Sequence, residues 1–403
     1  MSSVSSSNRR PRVLVVTRNL PPLVGGMERL NWHMAEELSR LAEVHIIGPE
    51  GSAAQGPKGV TFTEVALHPL WKFLFLSATN AVRIAKEWRP DLVLAGSGLT
   101  APAAYFGAKV AKARCTAYVH GLDITVKHPI YQYAWLPFIR RMDTIIVNSS
   151  VTRRLAIAAN VTEDRIHTVY PGVSLPAQPV SLEAKQHFLG KYGLEGKSLL
   201  ISVGRLTSRK GLREFVQNSL PGIVYAHPHA VLVIIGESPS NALGADLQSP
   251  QSIMDTARAG KVEKNIRLLG SVSEAELATA FECASLHIFP IRNIPNDPEG
   301  FGMVAIEAAA HGVPTVAFAN GGVIDAVAVG RSGELLPPDD YEGMARTILN
   351  ILRRSPENKS WREGCISFAR QFEWTEFGVK MNAALRIDDL SVSLKDKKAM
   401  DNI

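Results

Sequence analysis

The chain has 403 residues, 46% hydrophobic and 20% charged, with a formal net charge of +6. That length implies two or three domains, and that balance excludes a disordered chain. Three widely spaced cysteines, Cys115, Cys283 and Cys365, exclude a disulfide framework and a CxxC metal site and fit a reducing, cytoplasmic setting.

The charge is uneven. Residues 1–180 hold 20 Lys+Arg against 12 Asp+Glu, so all the positive excess lies in the first half. An anionic membrane face, an anionic substrate or nucleic acid could answer it. No zinc finger, RNA-binding aromatic motif or basic zipper is present, which makes nucleic acid the weakest candidate. The N-terminus, MSSVSSSNRR, lacks an apolar core and reads as a loose polar tail. The uncharged run Leu92–Ala108 holds three glycines and a proline, so it reads as strand, loop and helix start and not as a membrane span.

In chain order, Arg12–Val16 predicts a strand, followed by a Pro/Gly loop and a helix from about Met27 to Arg40. Val44–Ile47, Leu92–Ala95, Thr116–Val119 and Thr144–Val147 continue the strand series. After a polar stretch, Pro176–Gly196, the rhythm restarts with Leu199–Val203, Ala230–Ile235, Ile266–Leu268, His287–Phe289 and Thr315–Ala317. The pattern is α/β: two consecutive doubly wound, Rossmann-like halves, with a linker expected over 174–190. Such sheets bind ligands at the carboxyl ends of their strands, so a cleft facing both halves is expected. A last helix, about Thr375–Arg386, is expected to pack back on the first half, and the charged tail Ser391–Ile403 to be loose.

Five segments carry candidate chemistry. Pro21–Gly26 ends in paired glycines, Gly25 and Gly26, just before the first helix. That suits either a tight βα turn or a close backbone approach to an anion. It is not GxGxxG, which argues against a nicotinamide dehydrogenase. Gly204–Gly211 (GRLTSRKG) follows the first strand of the second half. Arg205 and Lys210 there suit a diphosphate, or are surface charges. The P-loop spacing GxxxxGK[ST] is absent, so hydrolysis by that route is disfavoured.

The third segment, Glu299–Pro314 (EGFGMVAIEAAAHGVP), is the most informative. A helix is expected from near Gly302 to the Gly312-Val313-Pro314 stop. Gly300 and Gly302 would leave the first amides bare for phosphate oxygens. Glu299 and Glu307 bracket this anion site, which makes sense for a polyhydroxyl ligand whose hydroxyls donate to carboxylates. Fourth, His120-Gly121-Leu122-Asp123 closes a strand; its histidine either faces the cleft or is structural. Fifth, His68–Leu76 (HPLWKFLFL), followed by Arg83, Lys86 and Arg89, suits a lipid-facing surface or, preferably, a helix buried on the first sheet.

With these segments in this order, nearly the whole chain resembles the retaining, GT-B fold glycosyltransferases of family 4, bacterial enzymes of surface polysaccharide or glycolipid synthesis. The resemblance implies an N-terminal acceptor domain, 1–180 with 375–395 packed back on it, and a C-terminal nucleotide-sugar domain, 181–374. It implies that Arg205 and Lys210 hold the donor diphosphate, with Gly204 beside them. It implies that Glu299 binds donor-sugar hydroxyls and that the segment Phe301, Gly302, Met303 and Val304 touches phosphate or sugar. Glu307 would accept from the ribose hydroxyls, and His120 would stabilise the sugar in the transition state. Gly25 and Gly26 would approach the diphosphate, and the base would lie by Gly236-Glu237 and Leu268. The chain departs from the family pattern at Ser174 and Asp325, where relatives carry aspartate and glutamate, and at Glu237-Ser238-Pro239, which lacks a second glycine.

Transfer then passes through an oxocarbenium-like state with charge building on the leaving diphosphate. No Asp-x-Asp motif is present, so no metal is expected and no other cofactor. Cations and helix amides would neutralise the charge, and the leaving phosphate would help deprotonate the acceptor. The expected partners are a nucleotide-sugar donor, with GDP-mannose or a related GDP-sugar slightly preferred, and a glycan or lipid-linked acceptor. Peripheral contact with the anionic inner face of the cytoplasmic membrane is also expected, and no nucleic acid. A GT-B sugar-nucleotide 2-epimerase and a non-catalytic sugar-nucleotide-binding protein are the alternatives.

Overall fold

The computed structural model describes residues 9–238, 247–295, 297–353 and 359–390. The expected tail from Ser391, residues 391–395 of the returning segment, and Pro239 lie outside the described residues. The expected N-terminal tail is described only at Arg9 and Arg10, and these are anchored. Arg9 pairs with Asp91 at 2.9 Å, and Arg10 donates to the Ser39 carbonyl at 2.7 Å.

The chain divides into two compact units, one up to Gly172 together with the segment from Trp374, the other Val173–Glu373. The first unit holds seven strands: β1 Arg12–Val16, β2 Glu43–Pro49, β3 Thr61–Val65, β4 Leu92–Ala95, β5 Arg114–Val119, β6 Thr144–Val147 and β7 Ile166–Thr168. Their order is β3-β2-β1-β4-β5-β6-β7, parallel throughout. The second holds β8 Ser198–Val203, β9 Ala230–Ile235, β10 Ile266–Gly270, β11 Leu286–Phe289, β12 Thr315–Phe318 and β13 Gly333–Leu336. Their order is β10-β9-β8-β11-β12-β13, again parallel. Both are doubly wound, Rossmann-like α/β sheets, as expected.

The strands form because their side chains are apolar on both faces. All six residues of β9 and all four of β4 are buried, as a parallel sheet covered by helices on each side requires. Each buried Val, Leu or Ile contributes roughly 1.5–3 kcal/mol relative to exposure. Three strands absent from the expected series, β3, β7 and β13, are all edge strands. β3 (TFTEV) buries fully only Val65, and β7 only Ile166, so neither presents the continuous apolar run that marks a central strand.

The linker is also corrected. The units part between Gly172 and Val173, and all of 174–190 belongs to the second unit. Within it, Leu182–Tyr192 is a helix capped by Ser181, whose hydroxyl accepts from the Ala184 amide. Phe188 anchors that helix in the core formed with Leu199, Ile201 and Phe281. The Pro-rich composition ends at Pro179, ahead of this cap.

The last helix, Trp374–Leu385, returns to the first unit. Trp374 stacks on His33 of the first helix, Gly26–Leu41, with ring centroids 4.1 Å apart and planes 16° apart. Any side chain at Gly172 would strike the Trp374 ring.

Candidate active site

In each sheet the strand order reverses direction once, between β1 and β4 and between β8 and β11. The loops leaving the carboxyl ends of those strands are where an open α/β sheet binds ligands. Gly25 follows β1, and Gly204, Arg205, Lys210 and Glu299 lie on the loops after β8 and β11, whereas His120 follows β5, Gly236 follows β9 and Leu268 lies on β10.

In the second unit, Gly204–Gly211 leaves β8 and 290–302 leaves β11. The Arg292 amide donates to the Arg209 carbonyl at 2.9 Å, tying the two loops together. Ser208–Lys210 is a single 3₁₀ turn that aims two consecutive cations inward. Lys210 Nζ donates to Glu299 Oε2 at 2.8 Å and lies 4.6 Å from the centroid of the Phe289 ring. Arg209 donates to the same Glu299 oxygen, and its Nε lies 3.2 Å from Asp297 Oδ1. The Arg209, Lys210 and Glu299 side chains are 11, 16 and 12% exposed, so this charge cluster is nearly enclosed. Arg205 is exposed beside it and adds positive potential at Glu299.

Burial alone would raise the Glu299 carboxyl, but Arg209 and Lys210 outweigh it and hold the group well below the usual carboxylate range. Burial lowers Lys210, reinforced by Arg209 and opposed by Glu299. Beneath them His287 is fully buried in β11, with Nδ1 3.1 Å from the Thr315 hydroxyl. Burial and the nearby Lys210 push His287 down to about 3, so it is neutral at physiological pH.

Glu299 is fixed from the far side by Gly321-Gly322. The Gly322 amide donates to the Glu299 carbonyl at 2.7 Å, and a Cβ at Gly322 would run into the Gly300 carbonyl. Gly302, with φ 93°, turns the chain into the helix Met303–Ala310, a conformation that favours glycine. Phe301 is buried and packs near Phe372, so its backbone, and not its ring, is placed toward the helix start. Met303 and Val304 are half-buried in the first turn. Glu307 is half-buried in the second. Ala305, Ile306, Ala308, Ala309 and Ala310 take the core-facing positions instead.

Beside β8, the Gly236 amide donates to the Gly270 carbonyl at 2.8 Å, and Glu237 Oε1 accepts from the Ser271 amide at 3.2 Å. Glu237 thus fastens the end of β9 to the end of β10, which carries half-buried Leu268.

Gly25, Gly26 and His120 belong to the first unit. Asn19 donates to Glu28 Oε1 at 2.8 Å, and a side chain at Gly25 would strike the Glu28 carboxylate. His120 ends β5, only 8% exposed. Its Nε2 lies 3.0 Å from the Gly96 carbonyl, and its amide donates to Asp123 Oδ2 at 3.0 Å. A carbonyl only accepts, so Nε2 is the donor of this hydrogen bond. The helix Leu70–Trp88 packs one side into the first unit, as the preferred buried-helix reading expects. Phe73, Ser77, Ala81, Ile84 and Ala85 are buried, while Trp71 and Phe75 are 69 and 62% exposed on the face that carries Lys72, Arg83 and Lys86.

The structure therefore gathers Lys210, Glu299 and Gly204 directly, with Arg205, Gly302 and Glu307 on the same two loops and helix. Sequence reasoning passed over Arg209 and Asp297. The signal was present as Arg209-Lys210 and as the acidic triplet Asp297-Pro298-Glu299. Among the described residues, no group of three His, Cys, Asp or Glu is arranged to hold a metal ion.

Two loops of opposite charge thus meet at a switch point with a glycine-led helix beside them, where an open α/β sheet binds its ligands. The match to known families agrees. Residues 24–176 match the family described as "Glycosyltransferase Family 4", and residues 185–367 match "Glycosyl transferases group 1". The chain belongs to the GT-B glycosyltransferases of family 4. It is 32% identical over 237 residues to D-inositol 3-phosphate glycosyltransferase of Mycolicibacterium smegmatis, covering 58% of this chain and half the length of that relative. It is 24% identical over 350 residues to the GDP-mannose-dependent α-(1-6)-phosphatidylinositol monomannoside mannosyltransferase of the same organism, covering 84% of this chain and 89% of that one. Its fold superposes with a TM-score of 0.77 on Anabaena HepE, solved with UDP and glucose, over 93% of this chain and 99% of that one at 16% identity.

Proposed function

We propose that the chain is a retaining glycosyltransferase that moves a hexose from a nucleoside diphosphate sugar to a glycan or lipid-linked acceptor in cell-surface polysaccharide synthesis. The observation that carries this reading is the Lys210–Glu299 pair at the carboxyl ends of β8 and β11, flanked by Arg205 and the Met303–Ala310 helix start. Lys210, Arg205 and the first helix amides suit the two phosphates. Glu299 and Glu307 suit sugar and ribose hydroxyls. As charge builds on the departing diphosphate, cations fixed before the reaction stabilise it without reorganising. No protein nucleophile is required. The leaving phosphate takes the acceptor proton, and His120 is the residue assigned to steady the sugar. GDP-mannose is the preferred donor, since a GDP-mannose-dependent relative aligns along most of the chain; the UDP-bound structural neighbour keeps UDP-sugars in the test.

The exposed Trp71 and Phe75, with Lys72, Arg83 and Lys86 on the same helix, support peripheral contact with an anionic membrane at its cytoplasmic face. No helix among the described residues is long and apolar enough to cross a membrane.

The deciding experiment follows labelled GDP-mannose and UDP-glucose with purified protein, with and without a lipid-linked acceptor extract. Acceptor-dependent label in the lipid or glycan fraction, with the anomeric configuration kept, is expected. An epimerised donor formed without acceptor, or a covalent glycosyl-enzyme trapped on a carboxylate, would overturn the reading.

A further inference from the structure

The resting site poses a problem. Lys210 Nζ, a cation assigned above to the diphosphate, is already held by Glu299 at 2.8 Å. A phosphate that recruits Lys210 would strand a carboxylate that is nine-tenths buried, and an unpaired buried charge is strongly destabilising. Arg209 resolves this. Its guanidinium reaches the same Glu299 oxygen from a second direction, and Asp297 grips its Nε side at 3.2 Å. Its main-chain carbonyl is held by the Arg292 amide, so the residue is fixed at both ends. With one guanidinium nitrogen donating to Glu299 and Nε paired in charge with Asp297, the buried Arg209 is committed to two carboxylates and poorly placed to bind phosphate itself. It is well placed to keep Glu299 paired.

We propose that Arg209 is a positioning residue: it holds Glu299 ionised and in place while Lys210 transfers its hydrogen bonds from Glu299 to the donor diphosphate. This inference rests on the nucleotide-sugar reading above and adds how that site exchanges its ion pair for its ligand. Arg209 touches no reacting atom; it acts through Glu299. Four groups set the local balance: Arg209, Lys210 and Arg205 against Glu299, with Asp297 a quarter exposed and able to keep water when Arg209 is removed.

The test is a double-mutant cycle read by calorimetric binding of GDP and UDP, with no acceptor needed. Arg209→Gln should weaken binding of the preferred nucleotide about 10–100-fold, because Glu299 then keeps Lys210. In a Glu299→Gln background no carboxylate is stranded, and Arg209→Gln should change binding less than about 3-fold. Arg209→Lys should recover most of the affinity, since a second cation is restored. A merely structural Arg209 would cost the same with Glu299 present or absent, and that outcome overturns the proposal. So does wild-type affinity in Arg209→Gln. Absence of nucleotide binding by the wild-type protein would instead overturn the nucleotide-sugar reading, and this inference with it.

Discussion

Lys210 and Glu299 meet at 2.8 Å although 89 residues separate them, because β8 and β11 are neighbours in the sheet and each sends its loop to the same end. The pair exists only through the reversal of strand order at that point. It puts a cation and a carboxylate, proposed above to take phosphate and hydroxyls, within one hydrogen bond of each other.

Removing Lys210 should leave the fold intact, because Glu299 retains Arg209. Lys210→Ala should bind nucleoside diphosphate about 30–300-fold more weakly, the loss of roughly 2–3 kcal/mol from a charge-assisted contact. Its melting temperature without ligand should stay near that of the wild type. Calorimetry and a thermal melt check the two halves of this expectation.

His287 sets an acid limit on stability. Its folded-state value is depressed from 6.5 to about 3. The unfolded chain therefore binds a proton below about 6.5 that the folded chain refuses until about 3. Stability attributable to this group is full above that window and falls with pH through it, by at most about 1.4 kcal/mol per pH unit for one proton. Thermal melts between pH 4.5 and 7 should show a shallower fall for His287→Gln than for the wild type. An unchanged slope would mean the histidine is solvated.

Gly322→Ala should be costly out of proportion to its size. The new methyl would run into the Gly300 carbonyl and push on the segment that carries Glu299. Overpacking of this kind costs about 1–3 kcal/mol. A lowered melting point with weakened nucleotide binding is expected, whereas Gly222→Ala, with nothing within 4 Å of its Cβ, should change nucleotide binding little.

Trp71→Ser with Phe75→Ser should leave stability within about 0.5 kcal/mol, as both side chains are mostly exposed. Co-sedimentation with anionic vesicles at low salt should fall several-fold, and wild-type binding should weaken as salt rises. Equal binding to neutral and anionic vesicles would contradict the membrane assignment.

The central strands and the Glu299–Glu307 segment were legible because two-sided burial and a glycine-led helix start write themselves into local sequence. β3, β7 and β13 were not, since an edge strand needs only one apolar face. The ion-pair exchange around Arg209 was hidden for a different reason. Arg209 and Asp297 are 88 positions apart, and only the sheet order brings them together. Glu307 shows the converse: its neighbours are apolar, yet the helix turns it to the partly open side. The helix Leu70–Trp88 was half legible, its apolar stripe read as core where Phe73 lies but not where Trp71 and Phe75 project.

The most direct test is a thermal-shift panel of GDP, UDP, ADP and TDP with their common sugars, run on the wild type and on Lys210→Ala. A ligand that binds only the folded state raises its melting temperature. The account predicts a selective rise with one nucleotide, GDP first, that disappears in Lys210→Ala. A rise that persists in the variant would move the phosphate site elsewhere, and no rise with any nucleotide would contradict the nucleotide-sugar reading itself.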